Sequence, residues 1–224
     1  MARMDLTQRL LTLGERERIL LVDLYQVRFA DDGLLLGLCA LSQGDAAALR
    51  ARGLLRTAQG PQGAVHYLTA TGQRAALQIL PSAQSGARAY AALRLEHELL
   101  RARIYLPLRR LGMPAGAYRA EPRLPYRSAA GFGERVLVPD ASVDAATAWL
   151  IEVDRGTESE AVLHHKWLRY REWQLGERGG RRIAVLAAGS LGPLERSLAS
   201  SAAAALVSAS PDELAQVIWP GSEA

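Results

Sequence analysis

The sequence predicts a two-part chain of the α/β class, α+β overall: a small helical unit carrying a hairpin, then a larger unit of mixed strands and helices. Three observations predict it. Residues 12–77 show apolar positions at helical spacing, broken by a pair of short strand-like runs around "QGPQG". "PSAQSGARA" at 81–89 is small, polar and punctuated by Pro and Gly, as a linker is. From Ala91 the order becomes helix, three strands, helix, strand, in which strand runs alternate with amphipathic helix patterns. The expected domains are therefore 1–80 and 91–224, joined by a linker at 81–90.

In the first part, "TLGERERILLVDLY" offers Thr12 with Glu15 three residues on, a capping-box pattern. Ile19, Leu20, Val22, Leu24 and Val27 follow at helical spacing. A second helix is expected over Asp32–Leu41. Ser42 with Asp45 opens a third, which Gly53 should stop as a C′ residue. "LLRTA" and "VHYLT" read as hairpin strands, and "TATGQRAALQIL" as a fourth helix. Three helices, a hairpin and a further helix is the order of a winged helix, whose third helix enters the major groove. Arg50, Arg52 and Arg56 lie on or just after that helix and are the expected contacts to double-stranded DNA. The alternative is that these arginines only solvate an exposed face.

In the second part, "AALRLEHELLRARIYLPLRRLG" is a long helix pattern, with an interruption expected near Pro107. "GAYRAEPRLPY" can hold a strand. "ERVLVPDASVD" and "TAWLIEVD" read as strands, the second almost wholly apolar up to Glu152, as a central strand is. "ESEAVLHHKWLRYREWQLG" is an amphipathic helix and "RRIAVLAAGS" a further strand. The tail should add a helix, a short strand at "ALVSA" and a last helix capped by Ser210 with Pro211 at its first position.

Composition narrows the function classes. The chain has 224 residues and a formal charge of +4, and half of it is apolar, so a packed core is expected. One cysteine, Cys39, excludes an internal disulfide and a cysteine-based zinc cluster. The N-terminal stretch has no signal-peptide core, and no run reaches the ~18 apolar residues of a membrane span. Cytoplasmic localisation is the expectation. Of the 27 basic residues only Lys166 is a lysine. A GC-rich genome accounts for that bias. Drift towards Arg is nevertheless resisted where a compact, deprotonatable ammonium is needed, which singles out Lys166.

The chemistry-bearing stretch is "VPDASVDAATAWLIEVDRG". Side chains alternate along a strand, so Glu152 and Asp154 share a face, and Asp140 ends beside them if its strand is adjacent. Three carboxylates this close repel one another unless a cation joins them, and hard ions such as Mg²⁺ or Mn²⁺ take such oxygen ligands. Asp140, Glu152 and Asp154 are thus candidate metal ligands. The alternative is acids at strand ends that cap helices or pair with arginine.

These residues also carry a resemblance. "PD" followed after eleven residues by "EVD" resembles the PD-(D/E)xK motif of restriction-endonuclease-like proteins, and the element order from 91 to 190 is similar to their αβββαβ core. "LVPD…WLIEVDRGTES…K…Y", with "LTLGERERIL" near the start, resembles the bacterial replication-relaxation family over roughly residues 12–190. That family is associated with plasmid replication and mobilisation. The resemblance implies Asp140 as the first acid and Glu152 as the second. Asp154 stands where the motif's lysine normally stands. Lys166, about two turns or roughly 10 Å into the next helix, is the replacement to test. The counterpart helix of the family carries a His, which makes His97, with Glu96 behind it, the candidate from the first helix. The alternatives are a surface Lys166 and a partly buried His97. Trp149, Trp167, Trp173 and Tyr67 read as core rather than base-stacking platforms.

Two functions follow. One is a DNA-binding protein of plasmid replication or mobilisation whose second domain is a divalent-metal-dependent endonuclease or nickase, with Asp140, Glu152, Asp154, Lys166 and His97 in the catalytic set. The other is a non-catalytic regulator built on a degenerate nuclease fold. Expected partners are double-stranded DNA and plasmid replication or transfer proteins, with no membrane; homodimer formation is left open.

Overall fold

The computed structural model describes residues 6–60, 62–81, 95–127, 133–176, 182–189 and 191–220. It divides into two compact units, Met1–Gly116 and Ala117–Ala224. The expected linker at 81–90 lies, beyond Pro81, outside the described residues.

The first unit contains helix α1 (Leu6–Leu11), helix α2 (Glu15–Val27), strand β1 (Phe29–Asp31), helix α3 (Asp32–Ser42), helix α4 (Ala46–Ala51), strands β2 (Leu55–Gly60) and β3 (Gly63–Leu68), and helices α5 (Ala70–Ile79) and α6 (Leu95–Arg110). β3 is the middle strand of an antiparallel three-stranded sheet in the order β1-β3-β2. β1 has no counterpart among the expected elements. Its three residues are too few to show a period.

Two expected caps shift. The N-cap of α2 is Gly14, whose N–H donates to Glu17 Oε2 at 2.9 Å, not Thr12. A short α1 already occupies the preceding segment, so the chain must turn after it. The N-cap of α4 is Asp45, whose carboxylate accepts from Ala47 N at 2.8 Å. Ser42 instead closes α3, accepting from Gly44 N at 3.1 Å. Gly53, with φ at +68°, stands just past α4 as expected.

α6 is the largest departure. The sequence pattern places it at the start of the second domain, but it packs in the first unit. Its Leu95 and Leu99 join Phe29 and Val65 in one apolar cluster. Three polar contacts fasten it as well. Tyr105 Oη donates to Asp23 Oδ1 at 2.6 Å, and Arg109 Nε donates to the same oxygen at 3.0 Å. Glu98 is buried between Arg101, which donates to it, and Arg28 at 3.5 Å. The helix also runs unbroken through Pro107. A proline inside a helix forfeits one backbone hydrogen bond. Here the contacts of Tyr105 and Arg109 with Asp23 hold the helix on both sides of the proline.

The second unit contains strands β4 (Tyr118–Ala120), β5 (Leu124–Arg127), β6 (Glu134–Leu137), β7 (Ala141–Val143) and β8 (Trp149–Asp154), helix α7 (Glu160–Gly176), strand β9 (Arg182–Ala187), helix α8 (Leu191–Ser201), strand β10 (Leu206–Ser208) and helix α9 (Pro211–Ile218). The main sheet has the order β10-β9-β8-β7-β4, and β5-β6 is a separate hairpin. β8 is central and buried along its whole length. It pairs antiparallel with β7 and parallel with β9, and α7 makes the crossover. The fold is thus α+β. The expected strand "ERVLVPDASVD" is two strands, β6 and β7, with Val138, Pro139 and Asp140 forming the bend between them. Ser210 caps α9, accepting from Glu213 N at 3.3 Å, with Pro211 behind it, as expected.

The core of this unit is Leu150, Leu163, Trp167, Tyr170, Trp173, Ile183 and Val185 with their neighbours. Trp149, Trp167 and Trp173 are all buried. They are packing residues, and Tyr67 sits half-buried against Phe29 with ring centroids 6.2 Å apart.

The ends of β8 and β9 meet closely. A Cβ added at Gly189 would lie 2.6 Å from Arg155 O and 2.6 Å from Gly156 Cα. Both are backbone atoms and cannot swing aside. Gly189→Ala is expected to destabilise this unit by about 1–3 kcal/mol, the usual cost of overpacking. Chemical denaturation followed by tryptophan fluorescence checks it, because all four tryptophans lie in this unit.

Candidate functional site

Glu152 sits near the end of the central strand with a side chain only 3% exposed. A carboxylate buried there needs partners, and α7 supplies two. Lys166 Nζ lies 2.5 Å from Glu152 Oε2. Tyr170 Oη donates to the other oxygen, Oε1. The two residues are four apart on one helix, so they share a face. That face is fixed by Leu163, Trp167 and Trp173, which bury α7 on the sheet. Lys166 and Tyr170, six and ten residues past the helix's first residue Glu160, both meet the Glu152 carboxylate. Two turns of rise therefore do not carry Lys166 out of reach.

Asp140 is held by its position in the bend. Its Oδ2 accepts from Val153 N at 2.8 Å, where a strand partner's carbonyl would otherwise stand. Its own carbonyl accepts from Glu121 N at 2.9 Å. Glu121 follows β4 with φ at +46°, an uncommon conformation for a residue with a side chain. Asp140 is thus tied to β8 one residue from Glu152.

The electrostatics follow from burial. Burial comes first and the charge of Asp140 second in raising the Glu152 carboxyl, against the opposing charge of Lys166, and it is pushed up to about 7. Burial disfavours the Lys166 ammonium, but the charges of Glu152 and Asp140 outweigh it and hold the lysine above its ordinary range. Burial, then Glu152, also raises Tyr170 well above the usual phenol value. Tyr170 is therefore a donor at neutral pH. Lys166, 26% exposed, lies between the buried acid and solvent.

The other expected site residues are placed differently. Asp154 is buried at the end of β8, and its Oδ1 accepts from Gly156 N at 2.9 Å, closing the turn after the strand. Among the described residues no group of three or more His, Cys, Asp or Glu side chains is placed to hold a metal ion. The three acids do not form a ready-made ion site. His97 belongs to α6 in the first unit and is half-buried. Of "EHE" at 96–98, the residue turned fully inward is Glu98. Arg50 and Arg56 are exposed. Arg52 is engaged within its own unit: its Nη1 lies 3.0 Å from Glu17 Oε1, and its Nη2 donates to Thr12 O at 3.3 Å. Tyr170 is not among the expected site residues. Its sequence signals are its place as the tyrosine of the "K…Y" stretch and its spacing of four from Lys166.

The replication-relaxation family model matches residues 38–183, about two thirds of the chain. The chain belongs to the replication-relaxation family. No curated protein matches the chain. Among solved structures, protein VC1899 from Vibrio cholerae is similar at 14% identity, covering 97% of this chain and 56% of that one, with a TM-score of 0.33. The chain spans little more than half of that protein, and so slight a likeness carries no statement of fold or function. No helix among the described residues is long and apolar enough to cross a membrane.

Proposed function

We propose that this replication-relaxation protein binds DNA through its first unit and cuts or nicks it with its second. The observation that carries the reading is the contact of Lys166 with Glu152 at 2.5 Å. Asp154 occupies the place of the motif lysine, and a lysine from α7 reaches the second acid instead. In a chain whose other basic residues are all arginine, a lysine at that one buried acid supports retained chemistry.

Each side chain then has a task. The Lys166 ammonium, on the solvent side, would bind a phosphodiester and stabilise charge building on it. Glu152, titrating near neutrality, is matched to proton transfer with an attacking water. Tyr170 fixes the carboxylate's orientation. Mg²⁺ is commonly held by one or two carboxylates together with waters and substrate phosphates. The hard oxygens of Asp140 and Glu152 fit an Mg²⁺ or Mn²⁺ ion of that kind, arriving with DNA, and the ion would lower the pKa of a bound water.

In the first unit, the order α2, α3, α4 and a β2–β3 hairpin supports a winged-helix reading, with α4 at the major groove. Arg50 on α4 and Arg56 on β2 are the exposed cations there. Removing one cation that neutralises a phosphate should lower the magnitude of the salt slope by about one unit. Arg50→Ala and Arg56→Ala are each expected to do so in duplex titrations over a range of salt. Unchanged slopes in both would remove α4 as the recognition helix.

Nicking of supercoiled plasmid with Mg²⁺ and with Mn²⁺ tests the enzyme reading. Activity that disappears in Asp140→Ala supports it. A second reading, a non-catalytic regulator of replication or transfer, is favoured by one observation: both oxygens of Glu152 are engaged by Lys166 and Tyr170. Duplex binding without nicking in either ion would establish that reading instead.

A further inference from the structure

His66 lies on the middle strand of the first unit's sheet, opposite Thr57 on one side and Ala30 on the other. Its side chain is 4% exposed, yet both ring nitrogens have polar partners. Nε2 is 2.7 Å from Asp32 Oδ1 at the start of α3. Nδ1 is 3.1 Å from Arg50 Nη2 on α4 and 2.9 Å from Thr57 Oγ1 on β2.

The atoms decide the tautomer. A guanidinium only donates, so Nδ1 must accept from Arg50 and carries no proton. The proton is then on Nε2, where it donates to the Asp32 carboxylate. The Thr57 hydroxyl donates to the same side of the ring as Arg50. Asp32 is 78% exposed at its side chain, and Arg50 is exposed too. A ring needed only for packing would have apolar neighbours at these two edges. This one instead bridges two surface charges through the interior. An unheld arginine side chain loses rotamer freedom when it is fixed on a ligand, and one already held loses less.

We infer that His66 is a positioning residue for DNA binding, holding Arg50 in place at the end of α4 through Nδ1 while Asp32 fixes the ring through Nε2. The inference rests on the reading of Arg50 as a phosphate contact. Asparagine and glutamine separate the two edges of the ring. Asn places its amide oxygen near the position of Nδ1 and can still accept from Arg50. Gln reaches the position of Nε2 and cannot.

The test is titration of the full chain with a mixed-sequence duplex at several salt concentrations. Arg50→Ala is expected to weaken binding about tenfold at low salt and to reduce the salt slope by about one. His66→Gln should do the same, and the double variant should be no weaker than either. His66→Asn should stay within about twofold of the parent. Equal losses in His66→Gln and His66→Asn that add to the loss in Arg50→Ala would overturn the positioning role. No loss in Arg50→Ala would instead refute the phosphate contact itself, and the inference with it. Should His66→Gln fail to fold, Asp32→Ala on the exposed partner replaces it. Its loss is expected only while Arg50 is present, and a change of equal size in both backgrounds overturns the inference.

Discussion

Lys166→Arg is expected to lower the nicking rate by roughly 10²–10⁴ while duplex affinity stays within about twofold of the parent. The substitution keeps the charge, so a site that needed only a cation would tolerate it. Two features of the site argue that it does not. The ammonium sits 2.5 Å from Glu152 Oε2, on a carboxylate only 3% exposed. A guanidinium is wider, planar and rigid, and it cannot occupy the same point without moving either α7 or the acid. α7 is fixed by Trp167 and Trp173, both buried, so the helix cannot readily move. The acid moves instead, and its hydrogen bond from Tyr170 breaks. Affinity is governed by the first unit in this reading and should be indifferent to the change. Parallel measurements of nicking rate and duplex affinity on the same preparation decide the matter. Parent-like nicking in Lys166→Arg would reduce Lys166 to a charge that balances Glu152.

What the sequence makes legible and what it hides both have physical causes. β8 is legible because "WLIEVD" is apolar on both faces, and only a central strand covered on both sides needs that. The acids at its end are legible for the same reason, since charge in such a run demands explanation. Lys166 is legible as a residue type, because the chain has no other lysine. Its reach is not, because reach depends on how α7 lies across the sheet. α6 shows the general difficulty. Its periodicity marks a buried face but not what buries it. The partners are α2, α3 and β1, through contacts such as Tyr105 with Asp23, 82 positions apart in the chain. Pro107 suggests a break, and local propensity is overridden by tertiary contacts on both flanks. Arg50 and Arg52 look equivalent in sequence. Only the fold shows one exposed and the other bound to Glu17. His66 gives no signal at all, being a single histidine in a hairpin strand.

Lys166→Met is expected to destabilise the second unit by about 3–5 kcal/mol near pH 8, and by clearly less near pH 5. Methionine keeps the volume of the stem and removes the charge. What it leaves is a buried carboxylate beside Asp140 with no cation to answer it. In the parent, burial and Asp140 have already raised the Glu152 carboxyl from an ordinary 4.5 to about 7. Between those values the folded protein holds a proton that the unfolded chain has released. Stability must therefore fall as pH rises through that window. The lysine acts in the other direction. Held above its ordinary range in the fold chiefly by the charge of Glu152, it contributes stability at neutral pH that is lost at strongly alkaline pH and weakens in acid as Glu152 takes up its proton. Removing it raises the folded carboxyl further, so the fall continues above pH ~7 and the total loss is greater. Near pH 5 Glu152 is already protonated, and the missing partner matters less. Glu152→Gln should flatten the parent's slope, because the amide has no proton to release. Denaturation of the parent and both variants near pH 5 and near pH 8, read by tryptophan fluorescence, makes the comparison. The four tryptophans report this unit alone, so the first unit does not enter the signal. A loss in Lys166→Met of equal size at both pH values would mean that the lysine stabilises the fold through the packing of its stem and not through Glu152.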